Sequence, residues 1–179
     1  MTAIAAVVHD GRVYIGADSA GVDDTLALVV RADAKVFVNG PMVFGFCGSF
    51  RMGQLLRYAF TPPPMTKRGD VDRYMVTRFI DAVRKCLKKG GFAKVDDKVE
   101  EGGNFLVGFR GRLFEIDSDF QVGEGLDPYR AVGIGRDVVL GALYATDGQR
   151  PEERIHMALA AAERFGAAVR GPFSVVREP

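Results

Sequence analysis

The chain has 179 residues, of which 47% are hydrophobic and 26% are charged, and its formal net charge is +1. This composition is typical of a globular protein and excludes a disordered or collagen-like chain. The balanced charge gives no indication of a nucleic-acid or anionic membrane partner. No apolar run approaches the ~20 residues of a spanning helix, and no basic region precedes the first apolar stretch. We therefore expect one cytoplasmic domain over residues 1–179, with Cys47 and Cys86 as free thiols.

A β-hairpin is predicted at the start of the chain. The apolar runs Ala3–His9 and Arg12–Ala17 flank Asp10-Gly11, a two-residue turn signal. In such a hairpin the numbers of paired residues add up to a constant, here 21. This register brings Thr2 to the same end of the ribbon as the segment Asp18-Ser19.

The rest of the chain alternates between groups of strands and groups of helices. Ser49 is a predicted N-cap, Asp70 is predicted to cap a longer helix, and the charged residues 92–102 are predicted to form a loop. The other predicted strands are 35–38, 42–46, 104–109, 113–116, 129–132 and 173–176, and the predicted helices are 50–59, 71–89, 135–144 and 151–165. Segregated runs of this kind favour an α+β fold with antiparallel sheets and helices packed outside them.

Several kinds of site are disfavoured by the sequence. His9 and His156 are far apart and have no second ligand at metal-binding spacing, so we expect no metal and no cofactor. Gly133-Ile134-Gly135 lacks the third glycine of a dinucleotide fingerprint and is better explained as a tight strand-to-helix turn. Cys47 has no obvious base to activate it as a nucleophile.

Thr2 is the remaining candidate nucleophile. Removal of Met1 would leave a threonine with a free α-amine, whose ordinary pKa is about 7.7–8.0. The hydroxyl can then attack a carbonyl while the amine takes its proton through water. A free terminus is essential, because an amide nitrogen has no basic lone pair.

Several motifs that follow Thr2 resemble, in their order and spacing, those of a known family. The segments TAIAAVVHDGRVYIGADSAG, AKVF, VFGFCGSF, VGFRGRLFEIDSDF and AVGIGRDVVLGAL resemble proteasome β-subunits and the HslV-type bacterial protease. The resemblance extends from Thr2 to about Phe165 and implies an N-terminal-nucleophile hydrolase. The implied fold is a four-layer αββα sandwich with two packed antiparallel sheets.

The resemblance also implies roles for individual residues. Thr2 matches the nucleophile, Asp18 the aspartate after the second strand, and Lys35 the lysine that opens the third strand. Gly48 matches the glycine whose N–H forms the oxyanion hole. A cationic Lys35 would lower the pKa of the Thr2 hydroxyl and amine, and Asp18 would hold the lysine in place.

Substrate contacts follow from the same resemblance. An extended peptide is expected to add as a strand beside Gly21 and Val22. Ser49 is a further expected substrate-binding residue. Phe46 and Phe50 are expected to line the pocket before the cleaved bond and to favour a small or apolar side chain, although core packing explains both aromatic residues equally well.

The sequence also departs from the family pattern. Ile134 stands where many relatives have a serine that assists the threonine amine, and Ala167 and Arg170 stand where many have an aspartate and a serine.

Three hypotheses therefore remain open. The first is a threonine-type endopeptidase that assembles into homo-oligomeric rings, acts on peptides or unfolded proteins and is served by an ATP-dependent unfoldase. The second is a catalytically impaired, ring-forming scaffold. The third is an N-terminal-nucleophile amidase acting on a small molecule.

Overall fold

Two antiparallel sheets lie face to face, and helices cover the outer face of each. The structure is a computed structural model that describes residues 2–23, 25–96 and 99–179. The strands are β1 (Ala3–His9), β2 (Arg12–Ala17), β3 (Ala20–Val22), β4 (Leu28–Val30), β5 (Val36–Asn39), β6 (Met42–Phe46), β7 (Lys94–Asp96), β8 (Val99–Glu101), β9 (Phe105–Phe109), β10 (Arg112–Ile116), β11 (Val122–Glu124), β12 (Tyr129–Gly133) and β13 (Ser174–Arg177). The helices are α1 (Phe50–Tyr58), α2 (Val71–Tyr74), a π-helical turn (Met75–Phe79), α3 (Ile80–Lys89), α4 (Arg136–Ala145) and α5 (Pro151–Phe165).

The first sheet has the strand order β12-β1-β2-β13, and the second has the order β11-β10-β9-β6-β5. β1 pairs with β2 in the predicted register, since Ile4 lies opposite Ala17 and His9 opposite Arg12. The predicted opening hairpin is therefore confirmed.

Three apolar layers fill the spaces between the four layers of secondary structure. In β1, Ala3 and Ala5 pack against α4 and α5, whereas Ile4 and Ala6 point into the layer between the two sheets. Successive side chains of a strand point to opposite faces, so a strand buried on both sides is apolar throughout. The third layer, rich in phenylalanine, lies between the second sheet and α1–α3. The αββα sandwich is confirmed.

Helix termini follow local sequence signals. The Ser49 side chain accepts a hydrogen bond from the backbone N–H of Met52 at 3.3 Å, and Asp70 caps α2 in the same way. Pro151 occupies the first turn of α5, where a missing N–H is harmless. These three predicted helix starts are confirmed.

The sequence-based assignment of residues 92–102 to a loop was wrong in part. Within the described residues, β7 pairs with β8 as a two-stranded ribbon. Charged ribbons of this length have no apolar periodicity, and residues 97 and 98 lie outside the described residues. No helix in the described ranges combines the length and the apolarity needed to cross a membrane.

Candidate active site

A buried carboxylate organises the end of the first sheet. The hairpin register places Asp18 directly after β2, where its side chain is completely inaccessible to solvent. Oδ1 accepts hydrogen bonds from the Ala3 N–H at 3.0 Å and from Lys35 Nζ at 2.7 Å. Oδ2 accepts from the N–H groups of Ala20 at 2.9 Å and Arg170 at 3.3 Å. Four donors from four separate parts of the chain therefore fix this carboxylate.

Lys35 lies just before β5 and is as deeply buried as its partner, with 1% of its side chain exposed. Burial lowers the pKa of the Lys35 ammonium, while the charge of Asp18 and its hydrogen bond oppose that shift. The Lys35 carbonyl accepts a hydrogen bond from the Phe46 N–H at 3.1 Å, which ties the start of β5 to the end of β6. The lysine is therefore held at both its backbone and its ammonium.

Thr2 precedes β1 and is also buried, with 4% exposure. Its carbonyl accepts a hydrogen bond from the Gly135 N–H at 3.4 Å. Gly133 has φ +96°, and a Cβ at this position would lie 2.2 Å from the Thr2 carbonyl oxygen, so only glycine fits. The Ile134 side chain between these glycines is largely exposed. The turn therefore packs against Thr2 through its backbone.

Gly48 follows β6 in a left-handed conformation, with φ +84°. Across residues 2–23, 25–96 and 99–179, its N–H donates no hydrogen bond. The neighbouring Cys47 N–H is bonded to the Asn104 carbonyl at 3.2 Å, which anchors the turn. Burial raises the pKa of the Cys47 thiol to about 11, so Cys47 is protonated at neutral pH and is a poor nucleophile.

The two expected substrate-strand residues lie on β3, which pairs with β4 on one side. Gly21 and Val22 line a cavity of about 200 Å³ together with Arg31 and Phe50. Phe50 lies 5.9 Å from Lys35 Nζ, measured to the ring centroid. This cavity is therefore adjacent to the buried ion pair.

Phe46 is 4% exposed and belongs to the phenylalanine-rich core layer. A Cβ on Gly53 would meet its ring at 2.2 Å, so α1 packs closely over it. Phe46 and Phe50 line a second cavity, of about 140 Å³, on the side of α1. Ser49 caps α1 at this edge. Phe46 therefore serves chiefly as core, whereas Phe50 borders both cavities.

Sequence reasoning missed three contributors to the candidate site: the backbone N–H of Arg170, the side chain of Glu163 and the side chain of Arg31. The Arg170 N–H contacts Asp18, and the next N–H, of Gly171, donates to Glu163 Oε1 at 3.0 Å. Glu163 thus anchors the segment whose Arg170 N–H caps Asp18. Arg31, on the wall of the 200 Å³ cavity, was the third. Backbone donors leave no signal in a sequence, although the acidic Glu163 near the end of an amphipathic helix could have been considered.

The comparisons with known proteins are informative only at the level of structure. No protein-family model matches the sequence, and no curated protein matches it significantly. Among solved structures, the bacterial proteasome homologue BPH of Thiobacillus denitrificans superimposes with a TM-score of 0.80 at 22% sequence identity, covering 98% of this chain and 97% of BPH. BPH in complex with epoxomicin gives 0.79 at 21% identity, with the same coverage. Eukaryotic HslV from Trypanosoma brucei gives 0.67 at 17% identity and covers 98% of each chain.

The chain has the proteasome-type N-terminal-nucleophile hydrolase fold. The predicted architecture and resemblance are thereby confirmed at the level of fold. In this fold, Thr2 and Asp18 lie at the end of the β1–β2 ribbon, Lys35 lies just before β5 with its ammonium on Asp18, and Gly48 lies in the turn after β6.

Proposed function

We propose that this chain is a threonine-type endopeptidase whose nucleophile is Thr2 after removal of Met1. The observation that carries the proposal is the buried Lys35–Asp18 pair, with Nζ and Oδ1 2.7 Å apart. The same Oδ1 accepts from the N–H of Ala3, the residue that follows Thr2. A buried ion pair is weak evidence for stability, so a pair whose carboxylate also binds the first N–H of β1 is better explained by chemistry than by folding.

The reaction follows from these groups. Thr2 Oγ1 attacks the carbonyl carbon of the peptide bond, and its proton passes to the Thr2 α-amine. The amine then protonates the departing nitrogen, which leaves an ester on Oγ1. Water attacks that ester, the amine takes the water's proton, and Oγ1 leaves with a proton restored. The positive charge of Lys35 stabilises the alkoxide form of Thr2 Oγ1, and Asp18 holds the Lys35 ammonium in place.

Gly48 supports the same proposal. Its N–H is not used by any acceptor in the described part of the chain, as expected of a donor reserved for a developing oxyanion. A left-handed φ is accessible to glycine without strain, which allows backbone alone to face the reacting carbonyl.

The proposed substrates are peptides or unfolded proteins, which we expect to pair with the edge of β3 at Gly21 and Val22. We further propose that the chain assembles into homo-oligomeric rings and receives substrate from an ATP-dependent unfoldase. Support for ring assembly is the superposition with BPH and HslV over almost the whole chain.

Two observations favour the alternative of a catalytically impaired, ring-forming scaffold. Ile134 presents an exposed apolar side chain on the turn beside Thr2, where many relatives offer a hydroxyl. Ala167 likewise carries no polar group. Glu163, through the backbone of Gly171, supports the Asp18 cap and weakens this alternative.

Intact mass spectrometry with and without epoxomicin tests the proposal. We expect the intact mass to show loss of Met1 and one covalent adduct. Peptide mapping should locate the adduct at Thr2, and a hydrolysis assay should show cleavage of peptide amides. Thr2→Ala should remove the adduct and reduce turnover about a thousandfold or more, as expected for a nucleophile. Thr61→Ala, at an exposed threonine, is the matched control. Retained Met1 with no adduct in an assembled ring would support the scaffold instead.

A further inference from the structure

A guanidinium forms one wall of the cavity next to the buried ion pair. Arg31 lies with Cζ 3.9 Å from the centroid of the Phe50 ring, and the same centroid is 5.9 Å from Lys35 Nζ. The Arg31 stem runs across β3, because a Cβ on Gly21 would lie 2.7 Å from Arg31 Cδ. The side chain is thus held between β3 and α1.

Asp33 orients the Arg31 guanidinium without engaging all of its N–H donors. Asp33 accepts from Arg31 Nε and from Nη2, both at 2.7 Å. Within the described ranges, Nη1 has no hydrogen-bond acceptor, and about one third (36%) of the side chain is exposed. Arginine offers five N–H donors in a rigid fork, so one carboxylate does not exhaust it.

The backbone of Arg31 is fixed as well. Its N–H donates to the Ser19 carbonyl at 2.8 Å, immediately after Asp18. The guanidinium therefore has a defined position relative to the proposed catalytic residues. A positioned cation of this kind selects ligands by charge as well as by size.

The remaining cavity wall is apolar apart from one carboxylate. Val22, Val29 and Phe50 contribute apolar surface, and Asp23 contributes the carboxylate. Asp23 Oδ1 is already engaged by the N–H and hydroxyl of Thr25 and by the Ala27 N–H. Through Oδ1, Asp23 stabilises its own turn. Among the described side chains that line this cavity, Arg31 contributes the cationic donor, at Nη1.

We propose that Arg31 makes this site select peptides with Asp or Glu before the cleaved bond. The inference rests on the proposed function and replaces the expectation of a small or apolar side chain. The carboxylate of the substrate residue accepts from Arg31 Nη1, while its methylene groups lie against the Phe50 ring.

Three peptide amides that differ only in the residue before the fluorogenic leaving group test this selectivity. Glutamine matches glutamate in shape without the charge, and leucine supplies the apolar alternative. We expect kcat/KM for the Glu peptide to exceed that for the Gln peptide by about tenfold or more, the effect of one charge-assisted hydrogen bond. Arg31→Gln should abolish this ratio, and Arg31→Lys should retain part of it, because lysine keeps the charge without the fork.

Arg51→Gln is the matched control, since it removes the same charge from the exposed residue next to Phe50. It should leave the Glu/Gln ratio unchanged. Equal turnover of the Glu and Gln peptides, or a ratio that survives in Arg31→Gln, would overturn the inference and leave the proposed function intact. If no peptide is cleaved and no peptide electrophile labels Thr2, the proposed function is wrong and the inference with it.

Discussion

Two ion pairs lie close together in the sequence and differ in almost every physical respect. Lys35–Asp18 is inaccessible to solvent, and its carboxylate also accepts three backbone N–H groups. Arg31–Asp33 joins residues two apart, and more than a third of each side chain is exposed.

The difference shows what each pair can do. A buried pair must be fully satisfied, because either charge alone would be stranded in a medium of low dielectric constant. A surface pair contributes little to stability, so its geometry is free to serve recognition. We therefore assign chemistry to the first pair and substrate selection to the second.

Removing one partner of the buried pair should have the largest effect. We expect Asp18→Asn and Lys35→Met each to lower the free energy of unfolding by about 3–5 kcal/mol, because an uncompensated charge or an unpaired polar group remains buried. Turnover should be lost in both. Urea denaturation measures the first quantity and peptide hydrolysis the second.

The double variant Asp18→Asn/Lys35→Met sharpens this test. Its decrease in the free energy of unfolding should be smaller than the sum of the decreases in the two single variants, because the two groups interact directly. Additive losses, or single losses below about 1 kcal/mol, would contradict the distinction between the two pairs.

An intermediate effect is expected where the two pairs meet. The positive charge of Arg31 contributes to lowering the pKa of Lys35, after burial as the main cause. Arg31→Gln should therefore raise the pKa of Lys35 toward its ordinary value of 10.5. NMR titration of isotope-labelled lysine side chains measures the shift, with Arg51→Gln as the control.

The sign of the accompanying change in stability is fixed by linkage. Between the lowered folded pKa of Lys35 and 10.5, the unfolded chain binds the proton and the folded chain does not. The free energy of unfolding should therefore rise with pH in this window. Because Arg31→Gln should raise the folded pKa of Lys35, it should raise the lower limit of this pH range. An unchanged Lys35 pKa would show that the two charges are independent.

The smallest effect is expected for the exposed pair itself. Asp33→Asn should change the free energy of unfolding by about 0–1 kcal/mol, because solvent screens both charges. It should leave cleavage after Glu at least as efficient, since Arg31 then has no competing carboxylate. If urea denaturation showed that the free energy of unfolding falls by more than about 2 kcal/mol, Asp33 would have a structural role instead.

Most of the framework could be predicted from the sequence. The turn signal Asp10-Gly11 set the β1–β2 register, and Ser49 and Pro151 marked helix starts, because these signals act over a few residues. β3 and β4 escaped prediction because they are three residues each, and β4 is exposed along its whole length. Short exposed strands carry no hydrophobic alternation to detect.

Part of the candidate site could likewise be predicted from the sequence, and part could not. Local sequence, together with a family resemblance, determined which side chains were candidates: Thr2, Asp18, Lys35 and Gly48. Only the tertiary structure decided that the Arg170 N–H caps Asp18 and that Arg31 stacks on Phe50. Backbone donors and cavity walls arise where distant segments meet, and no pattern in a single stretch of sequence specifies such a meeting.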